Sequence, residues 1–168
     1  AASVHKARAV LSADGRIEAY DYMSKGFARA EVATSESGPH DFLAGMMLGF
    51  SNLAAPAFGV PEDEYEFPNR QMGWETIDSM LNGPSPLRTS HLRDPLGPQL
   101  HFASESFMDE CALAAGADPV AFRLAHLKDA RTIAVVKAAA DKAAWKAGPP
   151  GARKGRNGAL LTGRGFAY

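Results

Sequence analysis

Cysteine is almost absent from this sequence, and Cys111 is the single example among 168 residues. One cysteine cannot form an internal disulfide, complete a thiolate zinc site or hold an iron–sulfur cluster, which takes several cysteine ligands. Any such cluster must therefore belong to a partner. Cys111 falls on the apolar stripe of a predicted helix, so we interpret it as a small buried hydrophobic residue and not as a reactive thiol.

The sequence also lacks a long apolar run and an excess of either charge. No uninterrupted stretch of about 18 apolar residues is present, as a membrane-spanning helix would need, and no export signal can be recognised. The net charge of −1 gives no electrostatic footprint for nucleic acid or for an anionic membrane surface. With 46% apolar residues the chain is not disordered throughout. We expect a soluble protein that binds neither nucleic acid nor membrane, and the sequence does not distinguish the cytoplasm from the periplasm.

Motifs for phosphate or metal binding are missing as well. Gly45 and Gly49 lie four apart in the apolar stretch 42–57, but no Lys-Ser or Lys-Thr pair follows them to hold a phosphate, so we favour core packing for this stretch. His101 and Glu105 have a spacing that would let both ligate a metal from one helical face. Since no third ligand is identifiable, we favour a surface pair or a helix-stabilising contact.

The recognisable elements predict an α+β fold in which an antiparallel hairpin and sheet pack with about three helices. Residues 6–22 alternate apolar and polar around Asp14-Gly15, a dipeptide typical of a tight hairpin turn, and Ile17 and Ala19 should share the core face. A further strand is predicted over Tyr65–Asn69, where Pro68 limits it to a sheet edge or a strand end.

Three helices are predicted in the second half of the chain. The first covers 100–115 and should end at Gly116. Its apolar stripe consists of Leu100, Ala103, Phe107, Cys111 and Ala114. Asp118 then supplies a capping side chain and Pro119 the first position of the second helix. The third helix is predicted over 130–145, with Asp129 as its cap.

We interpret residues 1–168 as one partial domain and as an internal piece of a longer polypeptide. Its predicted parts are the hairpin 6–22, an irregular and strand region 40–99 that includes the loop 86–99, the helical region 100–145, a flexible linker 146–158 and the beginning of a strand at 159–168.

The loop 86–99 is the strongest candidate for function. Three prolines and a glycine fix an irregular backbone around Arg93, and its guanidinium offers a fixed fork of donors to an anionic cofactor edge or a substrate carboxylate. The alternative is a salt bridge that ties the loop to a neighbouring helix. His91 lies in the same loop and could contact substrate or shuttle a proton, although a solvated or structural histidine is the commoner case. Backbone N–H groups of Leu96 and Gly97 would add further donors.

This loop and the helices after it resemble the large, molybdenum-cofactor subunit of the xanthine dehydrogenase and aldehyde oxidase family. Within that family the resemblance is to the bacterial branch of the isoquinoline 1-oxidoreductase and nicotinate dehydrogenase type. It extends over the segments 86–93 and 115–129. The individual residues that match the family pattern are Arg93, Gly97, Pro98, Gln99, Glu105, Met108 and Glu110.

The resemblance implies a molybdenum hydroxylase, which inserts oxygen from water at an aldehyde or N-heteroaromatic carbon. The implied cofactor is a molybdenum–pterin, in its cytosine dinucleotide form, and the implied partners are the rest of the molybdenum subunit and a small [2Fe–2S] subunit. Pro95, which falls where the family places an aromatic residue against the substrate, and His91, from its place in the same loop, are the candidates nearest the substrate. The residues that would lie beside the cofactor are Arg93, Leu96, Gly97 and Gln99.

Two departures from the family pattern restrict this hypothesis. The sequence has Asp94, Pro95 and Leu96 where xanthine oxidoreductases place Gly-Phe-Gly. The family's glycine-rich pterin-binding loop and its glycine-glutamate motif, which supplies the catalytic base, do not occur in these 168 residues. We therefore assign no catalytic residue and no metal ligand to this sequence. The alternative hypothesis is a non-catalytic module that keeps the fold and binds a protein partner.

Overall fold

The structure is a computed structural model, which describes residues 3–27, 43–50, 59–77, 97–149 and 155–168. The described elements confirm the predicted α+β fold. In chain order they are β1 Ser3–Leu11, β2 Ile17–Phe27, α1 Leu43–Met47, β3 Asn69–Ile77, α2 Gly97–Ala114, α3 Pro119–Ala125, α4 Ala130–Lys142, β4 Gly155–Asn157 and β5 Leu160–Thr162.

The chain divides into two compact units. Unit 1 consists of Ala1–Lys6, Tyr22–Pro61 and Met72–His101. Unit 2 consists of Ala7–Asp21, Glu62–Gln71 and Phe102–Tyr168. Among the residues that the structure describes, none of the helices has the length and apolar character needed to cross a membrane.

The predicted hairpin is present, and β1, β2 and β3 form one sheet in that order. Its turn is closed by the Ser12 N–H, which donates to the Arg16 carbonyl at 2.8 Å. Gly15 has a φ of +80°, a conformation that suits glycine because it has no Cβ. A Cβ there would also lie 3.2 Å from that of Ala115.

The core face of β2 differs from the one we predicted. Ile17 is buried, but Ala19 is only half-buried, and beyond it the buried residues are Tyr20, Tyr22 and Ser24. These three alternate along the strand and so share one face of the sheet.

The strand predicted over Tyr65–Asn69 is wrong in its position. Residues 59–67 form no regular structure, and β3 begins at Asn69, directly after Pro68. Proline has no N–H to donate to a neighbouring strand, so it precedes the paired segment here instead of ending it.

The three helices of the second half are present with the predicted caps. Asp118 accepts hydrogen bonds from the N–H groups of Val120 at 2.9 Å and Ala121 at 3.0 Å, and so caps α3. Asp129 accepts from the Thr132 N–H at 2.7 Å and caps α4. Between α2 and α3, Gly116 has a φ of +66°, which ends α2 near the predicted residue.

The bounds of two helices differ from the prediction. Helix α2 begins at Gly97 and not at Leu100, because Pro98 is tolerated in a first turn, where N–H groups need no partner in the helix. Helix α4 ends at Lys142, three residues before Trp145.

The apolar stretch 42–57 is described only at 43–50. It contains the short helix α1, but Met47, Leu48 and Phe50 are exposed and not packed in a core. Strand β4, at the end of the predicted linker 146–158, pairs antiparallel with β5, which lies in the predicted strand region 159–168, and Asn157 lies opposite Leu160.

Residues of β2, of the segment before β3 and of the helical region α2–α4 form the apolar core of unit 2. Its buried apolar residues are Ile17, Tyr20, Tyr65, Met108, Cys111, Ala112, Val120, Phe122, Leu127, Val136 and Ala140.

Candidate functional site

The predicted cofactor-side loop is described only at its end. Arg93, Leu96, His91 and Pro95 lie outside the described residues. Gly97 and Gln99 form part of the first turn of α2 and are half-buried. The position of this turn therefore depends on what holds α2 in place.

Glu105 on α2 is the centre of a buried polar cluster in unit 2. Only 5% of the residue is exposed, and its carboxylate accepts three hydrogen bonds from three separate parts of the chain. The Tyr65 hydroxyl donates to Oε1 at 2.9 Å. The Nε of Arg123 donates to Oε2 at 2.8 Å, and the backbone N–H of Tyr168 donates to the same oxygen at 3.0 Å.

Arg123 on α3 is the other half of this cluster and is fully buried. Its Nη2 donates to the backbone carbonyl of Glu105 at 3.0 Å, and its Nη1 donates to Oδ1 of Asp109 at 2.7 Å. Nη1 also donates to the Pro119 carbonyl at 3.1 Å, within α3 itself. One guanidinium therefore joins α3 to both the main chain and the side chains of α2.

Charge and burial determine the protonation of this cluster. Burial opposes the charge of Arg123, but the adjacent Glu105 carboxylate offsets this effect, and the pKa of the guanidinium is raised. Burial, together with the negative charge of Glu105, also raises the pKa of Tyr65. Arg123 stays charged and the Tyr65 hydroxyl keeps its proton, so both remain donors to Glu105.

The arrangement suits positioning better than catalysis. A general base must reach the proton that it removes, whereas the Glu105 carboxylate is buried and engaged by three donors. The described residues also contain no group of three or more His, Cys, Asp or Glu placed to hold a metal ion. Glu105 is buried and pairs with Arg123, so the predicted surface pair with His101 is wrong for Glu105.

Cys111 is buried, as predicted. Burial, with a smaller contribution from the negative charge of Glu110, raises the pKa of its thiol to about 11. Since the thiolate is the reactive form, the buried thiol has little nucleophilic character near neutral pH.

A second buried polar group in unit 2 is His126, at the end of α3. Its Nε2 lies 3.0 Å from the Ile17 backbone nitrogen, which can only donate, so Nε2 accepts. The proton must then lie on Nδ1, which donates to the Phe122 carbonyl at 2.8 Å. Burial, together with the positive charge of Arg16, lowers the pKa of His126.

Two surface cavities have linings whose described residues all belong to unit 2. One of about 800 Å³ lies beside Arg8, Tyr20 and Arg70, and one of about 400 Å³ lies beside Arg16, Glu66 and His126. Gly97 and Gln99, the predicted site residues that the structure describes, are not among the residues that line these cavities.

The sequence did not identify the Glu105–Arg123 pair, although a signal for it exists. The predicted apolar stripe contained Ala103 and Phe107, which are half-buried, and Ala114, which is exposed. Leu100 and Cys111 of the predicted stripe are buried, and the other buried positions of α2 are Ser104, Glu105, Met108 and Ala112. Glu105 lies three residues before Met108, on the face of α2 that these buried positions define. A carboxylate on a buried face requires a cationic or donor partner.

Comparison with known proteins gave two curated relatives. The chain is 36% identical to a nicotinate dehydrogenase subunit of Pseudomonas putida, over 94% of the chain and 12% of that protein. It is 28% identical to the beta subunit of isoquinoline 1-oxidoreductase of Brevundimonas diminuta, over 87% of the chain and 16% of that protein. The chain thus spans less than a fifth of the length of either relative. No family model matches the chain, and no solved structure matches it.

Proposed function

We propose that this chain, a homologue of part of two molybdopterin-binding oxidoreductase subunits, forms part of a molybdenum-containing oxidoreductase subunit. The observation that carries this proposal is the similarity to the nicotinate dehydrogenase subunit, which extends over 94% of the chain. The similarity is not confined to one motif, so it concerns the packed elements as well as the candidate loop.

In the proposed enzyme, Arg93, Leu96, Gly97 and Gln99 lie beside a molybdenum–pterin cofactor. Gly97 and Gln99 lie in the first turn of α2, which contains no acidic residue. This fits an anionic cofactor, because the N-terminal end of a helix favours negative charge. Arg93 would add a guanidinium fork to the same side. The cytosine dinucleotide form of the cofactor is part of this proposal.

His91 and Pro95 are proposed to lie nearer the substrate than the cofactor. The bound cofactor supplies the redox chemistry, namely hydroxylation of an aldehyde or N-heteroaromatic carbon with oxygen from water. This chain binds and orients through its loop and α2, and we assign it no catalytic base. The proposed partners are the remainder of the molybdenum subunit, within the xanthine dehydrogenase and aldehyde oxidase family, and a [2Fe–2S] subunit that takes up the electrons.

The source of the inserted oxygen tests this chemistry. The native protein, purified with the polypeptides that accompany it, is incubated in ¹⁸O-labelled water with an electron-accepting dye and a panel of N-heteroaromatic compounds and aldehydes. We expect a hydroxylated product that carries the label. Label that enters only from ¹⁸O₂ would contradict water-dependent hydroxylation, and the absence of any product across the panel would favour the non-catalytic module.

A further inference from the structure

Glu105 and Arg123 form an ion pair in which both charges are almost completely removed from water. Their residues are 5% and 0% exposed. Removal of two charges from water costs about as much as their attraction returns, so an apolar pair of similar volume would hold two helices together at least as firmly. The pair therefore contributes a defined geometry more than it contributes net stability.

The geometry is defined because the guanidinium contacts α2 at three points. Arg123 donates to the Glu105 carboxylate, to the Glu105 backbone carbonyl and to Asp109, one helical turn further along. A rotation of α2 by one residue, or a slide of about 1.5 Å along its axis, would break this set of contacts. The pair thus fixes both the rotation and the axial position of α2.

The other two donors to Glu105 add independent constraints on the same helix. The Tyr65 hydroxyl belongs to the segment before β3, and the Tyr168 N–H belongs to the segment after β5. The Tyr168 hydroxyl in turn lies 3.1 Å from Oγ1 of Thr132 on α4. Glu105 is therefore held from three sides, and the carboxylate cannot move without the loss of a buried hydrogen bond.

We propose that Glu105 and Arg123 are positioning residues, which set the register of α2 and thereby place Gly97 and Gln99 in its first turn. This inference rests on the proposed function, in which that turn lies beside the cofactor. Gly97 precedes Glu105 by eight residues on one continuous helix, a separation of about 12 Å. A shift imposed at Glu105 is carried along the helix axis to Gly97, and a misplacement of about 1 Å can lower turnover about 100-fold.

Three variants of the native protein test the positioning role. Arg123→Lys keeps the charge, but a single ammonium cannot contact both groups of Glu105 and Asp109 together. Glu105→Gln keeps the shape, since its amide oxygen can accept from Arg123 and Tyr168 while its NH₂ donates to the Tyr65 oxygen. Val136→Ala is the control, because it removes apolar volume from a buried position of α4 and leaves the polar cluster intact.

Molybdenum content per chain, turnover and the unfolding temperature are measured for each variant. We expect Arg123→Lys to lose molybdenum and about 100-fold in turnover, while Glu105→Gln retains most of both. Val136→Ala should unfold at a lower temperature with wild-type molybdenum content and turnover. A purely structural role predicts instead that molybdenum content and turnover follow the unfolding temperature through all three variants.

Two results would overturn the inference. In the first, molybdenum content and turnover follow the unfolding temperature through all three variants. In the second, Arg123→Lys folds and keeps wild-type molybdenum content and turnover. If Arg123→Lys does not fold, Asp109→Ala tests the positioning role in its place. This variant removes the contact between Arg123 Nη1 and Asp109, whose side chain is partly exposed. We expect turnover to fall about tenfold there at a nearly unchanged unfolding temperature, and unchanged turnover would refute the positioning role. A wild-type protein without molybdenum contradicts the proposed function itself, a failure visible before any variant is made.

Discussion

His126 uses both nitrogens of its ring inside the fold, which makes it sensitive to pH at the scale of one residue. Protonation would place a hydrogen on Nε2, which faces the Ile17 N–H and can then no longer accept from it. The charged groups that line the adjacent cavity are Asp14, Arg16, Glu18, Glu66 and Lys128. Because the ring is buried and its Nε2 must accept from the Ile17 N–H, the fold favours the neutral imidazole, although three of these five groups are acidic.

The lowered pKa of His126 gives a defined pH dependence of stability. The folded state binds its proton more weakly than the unfolded state, so the stabilisation is fully present above the unfolded pKa of about 6.5 and is lost as the pH falls below it. Thermal unfolding between about pH 7.5 and about pH 5.5 should show a smaller decrease for His126→Gln than for the wild type. Equal pH dependence in the wild type and His126→Gln would contradict this account of the imidazole.

Arg93 carries the cofactor-side proposal at the residue scale. Arg93→Ala in the native protein should lower molybdenum content or turnover by about 10-fold to 100-fold, because a fixed fork of donors is lost. Arg88→Ala, in the same proline-braced loop, is the matched control and should leave both near wild type. Equal losses in the two variants would show a general requirement for loop charge and remove Arg93 from the cofactor side.

At the scale of elements, Asp118 does more than cap α3. Its Oδ1 accepts from the first turn of α3, and its Oδ2 accepts from the Trp145 indole N–H and the Gly148 N–H, both at 3.0 Å. Those four hydrogen bonds lower the pKa of Asp118 despite its partial burial, which acts in the opposite direction. The side chain thus ties the end of α4 to the start of α3.

Asp118→Ala should therefore destabilise unit 2 more than a helix cap alone would. We expect a decrease of about 2 kcal/mol in the free energy of unfolding, at the upper end of the range for capping residues. Asp129→Ala is the control, since it removes the cap of α4, where the carboxylate accepts from the Thr132 N–H. Urea unfolding of both variants measures the difference. A loss for Asp118→Ala no larger than that for Asp129→Ala would show that the contacts to Trp145 and Gly148 add nothing.

The elements also show which parts of the fold can be predicted from sequence. The caps at Asp118 and Asp129 were predictable, because donor and acceptor lie within three residues and the geometry is local. The position of β3 was not predictable, because it depends on the strand with which the segment pairs. The bounds of α2 were displaced because Pro98 and Gly97 are compatible with both a loop and a first helical turn.

At the scale of the whole molecule, the contacts of the cluster join distant parts of the sequence. Tyr65 and Glu105 are 40 residues apart, and Glu105 and Tyr168 are 63 apart. Local patterns of apolar and polar residues contain no record of such pairings, which arise only when the helices pack. The family resemblance was available from the sequence, because the residues that carry it form ordered runs along the chain.

The cluster agrees with the proposal that a chain to which we assign no metal ligand forms part of a cofactor enzyme. Its described residues contain no group of three or more His, Cys, Asp or Glu placed to hold a metal ion, and its most buried charges are paired with one another. In the proposed enzyme this part of the polypeptide orients a loop and a helix toward a cofactor that other parts help to bind. Under this proposal its role is to position the cofactor-side turn of α2.

The molybdenum and pterin content of the native protein tests the central claim most directly. The protein is purified from its natural host with its accompanying polypeptides, metal is measured by mass spectrometry, and released pterin is measured by fluorescence. We predict molybdenum and pterin in equal amounts, close to one of each per copy of the polypeptide that carries this sequence. Protein that is folded and complete but contains neither would contradict the assignment to a molybdenum-containing oxidoreductase.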